Sequence, residues 1–181
     1  FIEACQEEDS DFLAGAVGLH ASFTLEDDTL EEVGQLVDDL DTGVHIHVAE
    51  GEADQQDSLD KHGLTVVERL NKFGLCNSKM LASHCVHIEP KDMEILADCD
   101  ANVLHNPGSN MNNSVGYAPI IDMLDKGVLV GHGTDGLTTD MFESIKVANL
   151  LHKFKQGPSA AWEEVPTITF DNNQKITEKY F

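Results

Sequence analysis

Aromatic and basic side chains are scarce in this chain. Phe, Tyr and Trp make up 6% of its 181 residues, with one Trp and two Tyr, and 11 Lys and Arg face 33 Asp and Glu. The net charge of −22 excludes nucleic acid and anionic membrane surfaces as partners, because both are polyanions. Apolar runs are short. None approaches the roughly 18 residues that a membrane-spanning helix requires, and the opening Phe1-Ile2-Glu3-Ala4 has no signal-peptide pattern. Cysteine is sparse too: Cys5, Cys76, Cys85 and Cys99 include no CxxC pair and no disulfide-scaffold density, which predicts a reducing, cytoplasmic setting. The remainder is an ordinary globular composition, 41% hydrophobic, long enough for one domain with its own core.

Histidine, with nine copies, is the residue in excess, and its placement follows the secondary-structure pattern. Strand-like runs lie at Ala14–His20, Val44–Val48, Met80–His84, Asn102–His105 and Val128–Gly131. Helical spacing fills the intervals. Leu30, Val33, Leu36, Val37 and Leu40 form one stripe behind the acidic start Glu26-Asp27-Asp28, and Val66, Val67, Leu70 and Phe73 form another that Gly74 stops. Pro90 opens a helix carrying Met93, Ile95 and Leu96; Ala118 to Leu124 makes a fourth. Met141, Phe142, Ile145, Leu150, Leu151 and Phe154 form a fifth stripe. Consecutive strand–helix units with no low-complexity linker predict an α/β fold with a parallel sheet and helical crossovers. Residues 1–155 form the body on this reading. Residues 156–181, broken by Pro158 and Pro166 with one helical turn at Trp162-Glu163-Glu164-Val165, form an extension packed on the last helix.

The polar residues fall at the carboxyl ends of these strands. His20 ends the first, His45 and His47 lie in the second, His84 ends the third, His105 ends the fourth, and Asp135 follows the fifth. Parallel α/β proteins build their sites at that edge, so five strand ends in register predict one shared site. Within Val44-His45-Ile46-His47-Val48-Ala49-Glu50, alternation sends Val44, Ile46 and Val48 to one face and both imidazoles to the other. Two neutral imidazoles at i, i+2 can approach one metal ion, with Glu50 just beyond the strand. His87, by contrast, is expected to face solvent at a helix entrance. The segment His105-Asn106-Pro107-Gly108-Ser109-Asn110 reads as a tight polar loop aiming His105 and Asn106 at a ligand. Gly131-His132-Gly133-Thr134-Asp135-Gly136 matches GxGxxG literally. It follows the last strand, and Asp135 would repel a pyrophosphate, so no dinucleotide site is expected.

The ordered set GLHASFT, HIHVAE, ASHCVHIE, LHNPGSNMNN and GTDG resembles the amidohydrolase superfamily, within it the group of triazine hydrolases and S-adenosylhomocysteine deaminases. The resemblance covers nearly the whole chain. It implies a (β/α)8 TIM barrel and one divalent metal ion, zinc ahead of iron, that activates water to hydrolyse a non-peptide C–N bond. The reaction would be deamination of a small heterocyclic amine, or its dechlorinating variant. Position by position, His47 resembles the metal ligand of the fifth barrel strand, and Asp135 the ligand and base of the eighth. Glu50 resembles the acid/base carboxylate and a substrate contact, His84 the histidine that orients the hydrolytic water, and His20 a substrate-binding histidine. His45 and His105 lie in family motifs without an assigned role.

One family feature has no counterpart: the His-x-His of the first barrel strand. A closed barrel needs eight strands and typically about 250 residues. The chain is therefore expected to be strands four to eight of a longer enzyme, inactive alone and short of metal ligands. Its open sheet would expose two edges, which predicts a homo-oligomer. The alternative is a non-catalytic metal- or ligand-binding module, or a self-associating α/β domain.

Overall fold

Five strands, β1 (Val17–Ala21), β2 (Val44–Val48), β3 (Leu81–His84), β4 (Asn102–His105) and β5 (Leu129–His132), pair in parallel in chain order. The computed structural model describes residues 1–8, 10, 12–157, 168 and 170–181. A strand order that never reverses puts every crossover on the same face. That face is the core: Val44, Ile46, Val48, Ala82, Val103 and Val130 are all buried there. The opposite face carries Gly18 and His45, both exposed. The sheet is thus an arc of barrel wall, helices outside and polar side chains inside.

Among the described residues the helices are α1 (Ile2–Glu7), α2 (Asp27–Asp39), α3 (Glu52–His62), α4 (Val66–Lys72), α5 (Pro90–Asp98), α6 (Pro107–Asn112), α7 (Ile120–Asp125), α8 (Met141–Gln156) and α9 (Asp171–Glu178), with a 3-10 turn at Ser22–Thr24. Their ends carry local signals. Thr65 and Glu68 form a capping box on α4, Pro90 sits in the first turn of α5, and Asp140 accepts from the backbone N–H groups of Phe142 and Glu143 at the start of α8. No described helix is long and apolar enough to cross a membrane.

The structure departs from the sequence expectations in several places. β1 begins at Val17 rather than Ala14, and β5 is displaced by one residue, to Leu129–His132. The polar segment after β4 is a helix, α6, because Pro107 supplies the fixed φ of a first helical turn and the segment docks against α8. The apolar stripe of α8 does not face the core as expected. Phe142, Leu150 and Phe154 are exposed, while Ser144, Ala148 and His152 are buried. The expected turn at Trp162–Val165 and both Pro158 and Pro166 lie outside the described residues.

The tail was expected on the last helix, but α9 lies along β5. Asn172 Nδ2 donates to the Val130 carbonyl, and Asn173 Oδ1 accepts from the His132 N–H, so two asparagines satisfy the edge of β5 as a strand would. Gly131 makes this approach feasible, since a Cβ there would lie 2.3 Å from Asn173 Oδ1 and 2.7 Å from Ile176 Cδ1.

Candidate active site at the carboxyl ends of the strands

The chain leaves the strands through sharp turns. Ala49, His84, Cys85 and Asp135 hold positive φ angles of 45, 74, 49 and 53°, a region that costs a residue with a Cβ of order 1 kcal/mol or more. These turns bring the tips of three residues together. His84 Nε2 lies 3.8 Å from Glu50 Oε2 and 3.9 Å from Asp135 Oδ2. His47 stacks on His84 with ring centroids 5.4 Å apart, and His20 meets His47 edge-on, also at 5.4 Å. His20, His47, Glu50, His84 and Asp135 therefore share one rim. A cavity of about 520 Å³ touches His45, His47, His84, Asn106 and Asp135, and a neighbouring one of about 300 Å³ touches His20, Phe23, His47, Glu50 and Asn113.

His105 is not part of this group. It is fully buried on the helix side of the sheet, where its Nε2 lies 3.1 Å from His152 Nε2 and its ring 5.8 Å from that of His132. Side-chain alternation explains the separation: Leu104, not His105, faces the cavity. Burial first, then the neighbouring imidazoles, pushes the His105 pKa well below its ordinary value. His45 does face the cavity and bonds Ser83 Oγ at 3.0 Å. Partial burial and the imidazoles of His47 and His84 lower its pKa. His87 is half-buried and bonded to the Val115 carbonyl at 2.7 Å rather than free in solvent.

Two of these residues have the chemistry of metal ligands. His47 Nδ1 lies 2.6 Å from the carbonyl oxygen of His20, so that nitrogen carries the proton and Nε2 keeps its lone pair. Metal-binding histidines are oriented by the same kind of outer hydrogen bond. Asp135 is held ionised. The Ser109 hydroxyl, 2.6 Å from Oδ2, is the main cause of its lowered pKa; the Gly136 N–H and the imidazoles of His84 and His47 add to it. Neutral imidazole and ionised carboxylate suit a zinc-type ion. They supply part of a centre only: among the described residues no group of three or more His, Cys, Asp or Glu could hold a metal ion.

Behind the rim, two buried charges fix the loops. Asp54 accepts from the Ala49 N–H at 2.9 Å and the Phe23 N–H at 3.3 Å, tying the exit of β2 to that of β1. Burial raises its pKa, and those two N–H bonds offset part of the rise. Arg69, 1% exposed, donates to the carbonyls of Ser22 and Leu25, to Ser22 Oγ and to Asp27. Sequence reasoning singled out neither residue, nor Ser109 and Asn110 on α6 and Asn113 at its C-terminal cap, which reach the site. The only available signal was the LHNPGSNMNN motif, read as a loop.

A profile of the Amidohydrolase family matches residues 1–169. The chain is 43% identical over 150 residues to a 5'-deoxyadenosine deaminase from Methanopyrus kandleri, covering 80% of this chain and 35% of that protein. It is 39% identical over 141 residues to a 5-methylthioadenosine/S-adenosylhomocysteine deaminase from Thermoanaerobacter pseudethanolicus, covering 76% and 33%. An adenosine deaminase from Xanthomonas campestris, solved with bound zinc, superposes with a TM-score of 0.82 at 29% identity, over 91% of this chain and 39% of that one. The chain thus spans about a third of the length of these relatives, and its sheet corresponds to part of their barrel.

Proposed function

The chain belongs to the amidohydrolase family, and from that premise we propose that it is part of a metal-dependent aminohydrolase that removes an amino group from a heterocyclic ring. The observation that carries this reading is the convergence of Glu50, His84 and Asp135, with His84 Nε2 3.8 and 3.9 Å from the two carboxylates. His47 and Asp135 would hold the ion, zinc ahead of iron, whose chemical contribution is to bring the pKa of water from about 15.7 toward roughly 7.

The chain's own residues do the rest. His20 and Glu50 bind the ring. Asp135 takes a proton from the attacking water, and His84 sets its direction. Glu50 delivers a proton to the ring nitrogen and then, resupplied with the proton that Asp135 took from the water, to the departing amine, help worth roughly 10²–10⁴-fold. Loss of chloride would need less protonation of the leaving group, so Glu50 favours the amine, as do relatives named deaminases. The partner is a small heterocyclic amine rather than nucleic acid, and the setting the reducing cytoplasm. Residues 1–155 are the barrel part and 156–181 its extension.

Turnover belongs to the whole protein. For these 181 residues alone a second reading is favoured, a binding module without catalysis, because the described residues hold no complete metal cluster. The test is product analysis on the protein with the remainder of its reading frame, using 5'-deoxyadenosine, 5-methylthioadenosine, guanine and a chlorotriazine. Ammonia release is expected, reduced about 100-fold or more in Glu50→Gln and Asp135→Asn. Chloride release without ammonia would convert the reading to a chlorohydrolase, and release of neither overturns it.

A further inference from the structure

The helix α6 is six residues long with Asn113 as its C-terminal cap, yet side chains on one face of this segment reach three different residues of the site. Ser109, Asn110 and Asn113 stand at i, i+1 and i+4, which places them within roughly 100° of arc. Ser109 Oγ donates to Asp135 Oδ2 at 2.6 Å, Asn110 Oδ1 accepts from His84 Nδ1 at 2.8 Å, and Asn113 Nδ2 donates to Glu50 Oε1 at 3.0 Å. Asn113 Nδ2 also lies 3.5 Å from Ser109 Oγ, which links two of the three arms.

Resting on the aminohydrolase reading, we infer that Ser109, Asn110 and Asn113 are the positioning residues of the site, one each for Asp135, His84 and Glu50. None of the three bonds closes the helix or the sheet; each ends on an ionisable side chain at the rim. Each also removes a specific freedom. The Asn110 oxygen makes Nδ1 the protonated nitrogen of His84, leaving Nε2 as the one turned toward both carboxylates. Ser109 and Asn113 each hold one carboxylate oxygen, so the other rotamers of Asp135 and Glu50 lose a hydrogen bond. The platform is itself fixed: Ser109 and Asn110 are buried, and α6 packs along α8. Preorganisation of this kind is where much of an enzyme's rate originates, since misplacement by about 1 Å can cost 10²-fold.

The test is side-chain NMR on the 181-residue chain, which needs no turnover. Three expectations are paired one to one. Ser109→Ala shifts the Asp135 carboxyl carbon, Asn113→Ala shifts that of Glu50, and Asn110→Ala releases His84 from the Nδ1–H tautomer, each leaving the other two unchanged. Ser109→Thr, which keeps the hydroxyl, restores the Asp135 signal. Asn110 is fully buried; if its alanine variant loses the dispersed amide spectrum, Asn110→Asp keeps an acceptor oxygen and is expected to retain the Nδ1–H tautomer. Shifts at all three residues in every variant, no shifts, or an Nε2–H tautomer in the unmodified chain would overturn the inference. If the paired pattern holds while the whole protein releases no amine, the aminohydrolase reading fails and the positioning role stands.

Discussion

Buried histidines behind the sheet make this protein sensitive to acid, His132 among them. His132 is 4% exposed, and neither of its ring nitrogens has a hydrogen-bond partner. Burial first, and then His152, pushes its pKa from 6.5 down to about 4. The unfolded chain therefore binds a proton near pH 6.5 that the folded chain refuses until about pH 4, so stability falls as pH drops through that window. At roughly 1.4 kcal/mol per unit, His132 alone accounts for about 2 kcal/mol lost between pH 7 and pH 5. Urea unfolding at those two values measures it, and His132→Leu is expected to flatten the slope by that amount. His105 and His152, whose pKa values are also lowered, leave a residual slope. An unchanged slope in the variant would mean that His132 is already protonated in the fold.

Among the elements, α4 carries the brace on which the loop after β1 depends. The Arg69 guanidinium is buried among the Ser22 and Leu25 carbonyls and Asp27. Asp27 is partly exposed, and the Arg69 hydrogen bond is the main cause of its lowered pKa. Asp27 keeps solvent when Arg69 is removed, but the buried Ser22 carbonyl and the half-buried Leu25 carbonyl lose their donor, a cost of about 1–3 kcal/mol for a buried group. Arg69→Met is thus expected to lower the unfolding midpoint sharply and to speed hydrogen exchange at residues 20–26. Arg69→Lys does not restore protection, because one ammonium cannot reproduce the planar fork.

Sequence reading captured the elements whose pattern is apolar and periodic. Val44, Ile46 and Val48 alternate as a strand must, and Leu30 and Val37 mark the buried side of α2. It missed α3, which has no apolar stripe and buries Asp54, Gln55 and Ser58; its helical state shows only in the left-handed Gly63 cap and pairs such as Lys61–Asp57. It read α6 as a loop because Asn, Pro, Gly and Ser all favour turns, and tertiary docking outweighed that preference. The same limit applies at the site. His47, Glu50, His84 and Asp135 were legible as strand-end residues, whereas Ser109 and Asn113 act through contacts that depend on a helix the pattern does not announce. The side chain of His105, one residue off the inward register, could have been excluded by alternation alone.

At the scale of the whole molecule, the two sides of the sheet are unequal. The β5 edge is covered by α9, whereas among the described residues β1 pairs with β2 only. An uncovered edge strand is a template for another chain. Against association stands the net charge of −22, since copies that approach edge to edge repel one another. The two effects have different ranges. Backbone pairing acts at contact, while repulsion extends over a Debye length of about 10 Å at 0.1 M salt and shrinks to about 3 Å at 1 M. Salt therefore removes the barrier and leaves the attraction. Sedimentation velocity is expected to show mainly monomer at low ionic strength and growing dimer as sodium chloride is raised. Gly18 on β1 has nothing within 4 Å of where a Cβ would stand, so Gly18→Lys fits the fold and places a charge on the edge strand. The variant is expected to stay monomeric at salt concentrations that dimerise the unmodified chain. If both proteins dimerise equally, the contact lies elsewhere, with the exposed Phe142, Leu150 and Phe154 of α8 the next surface to substitute.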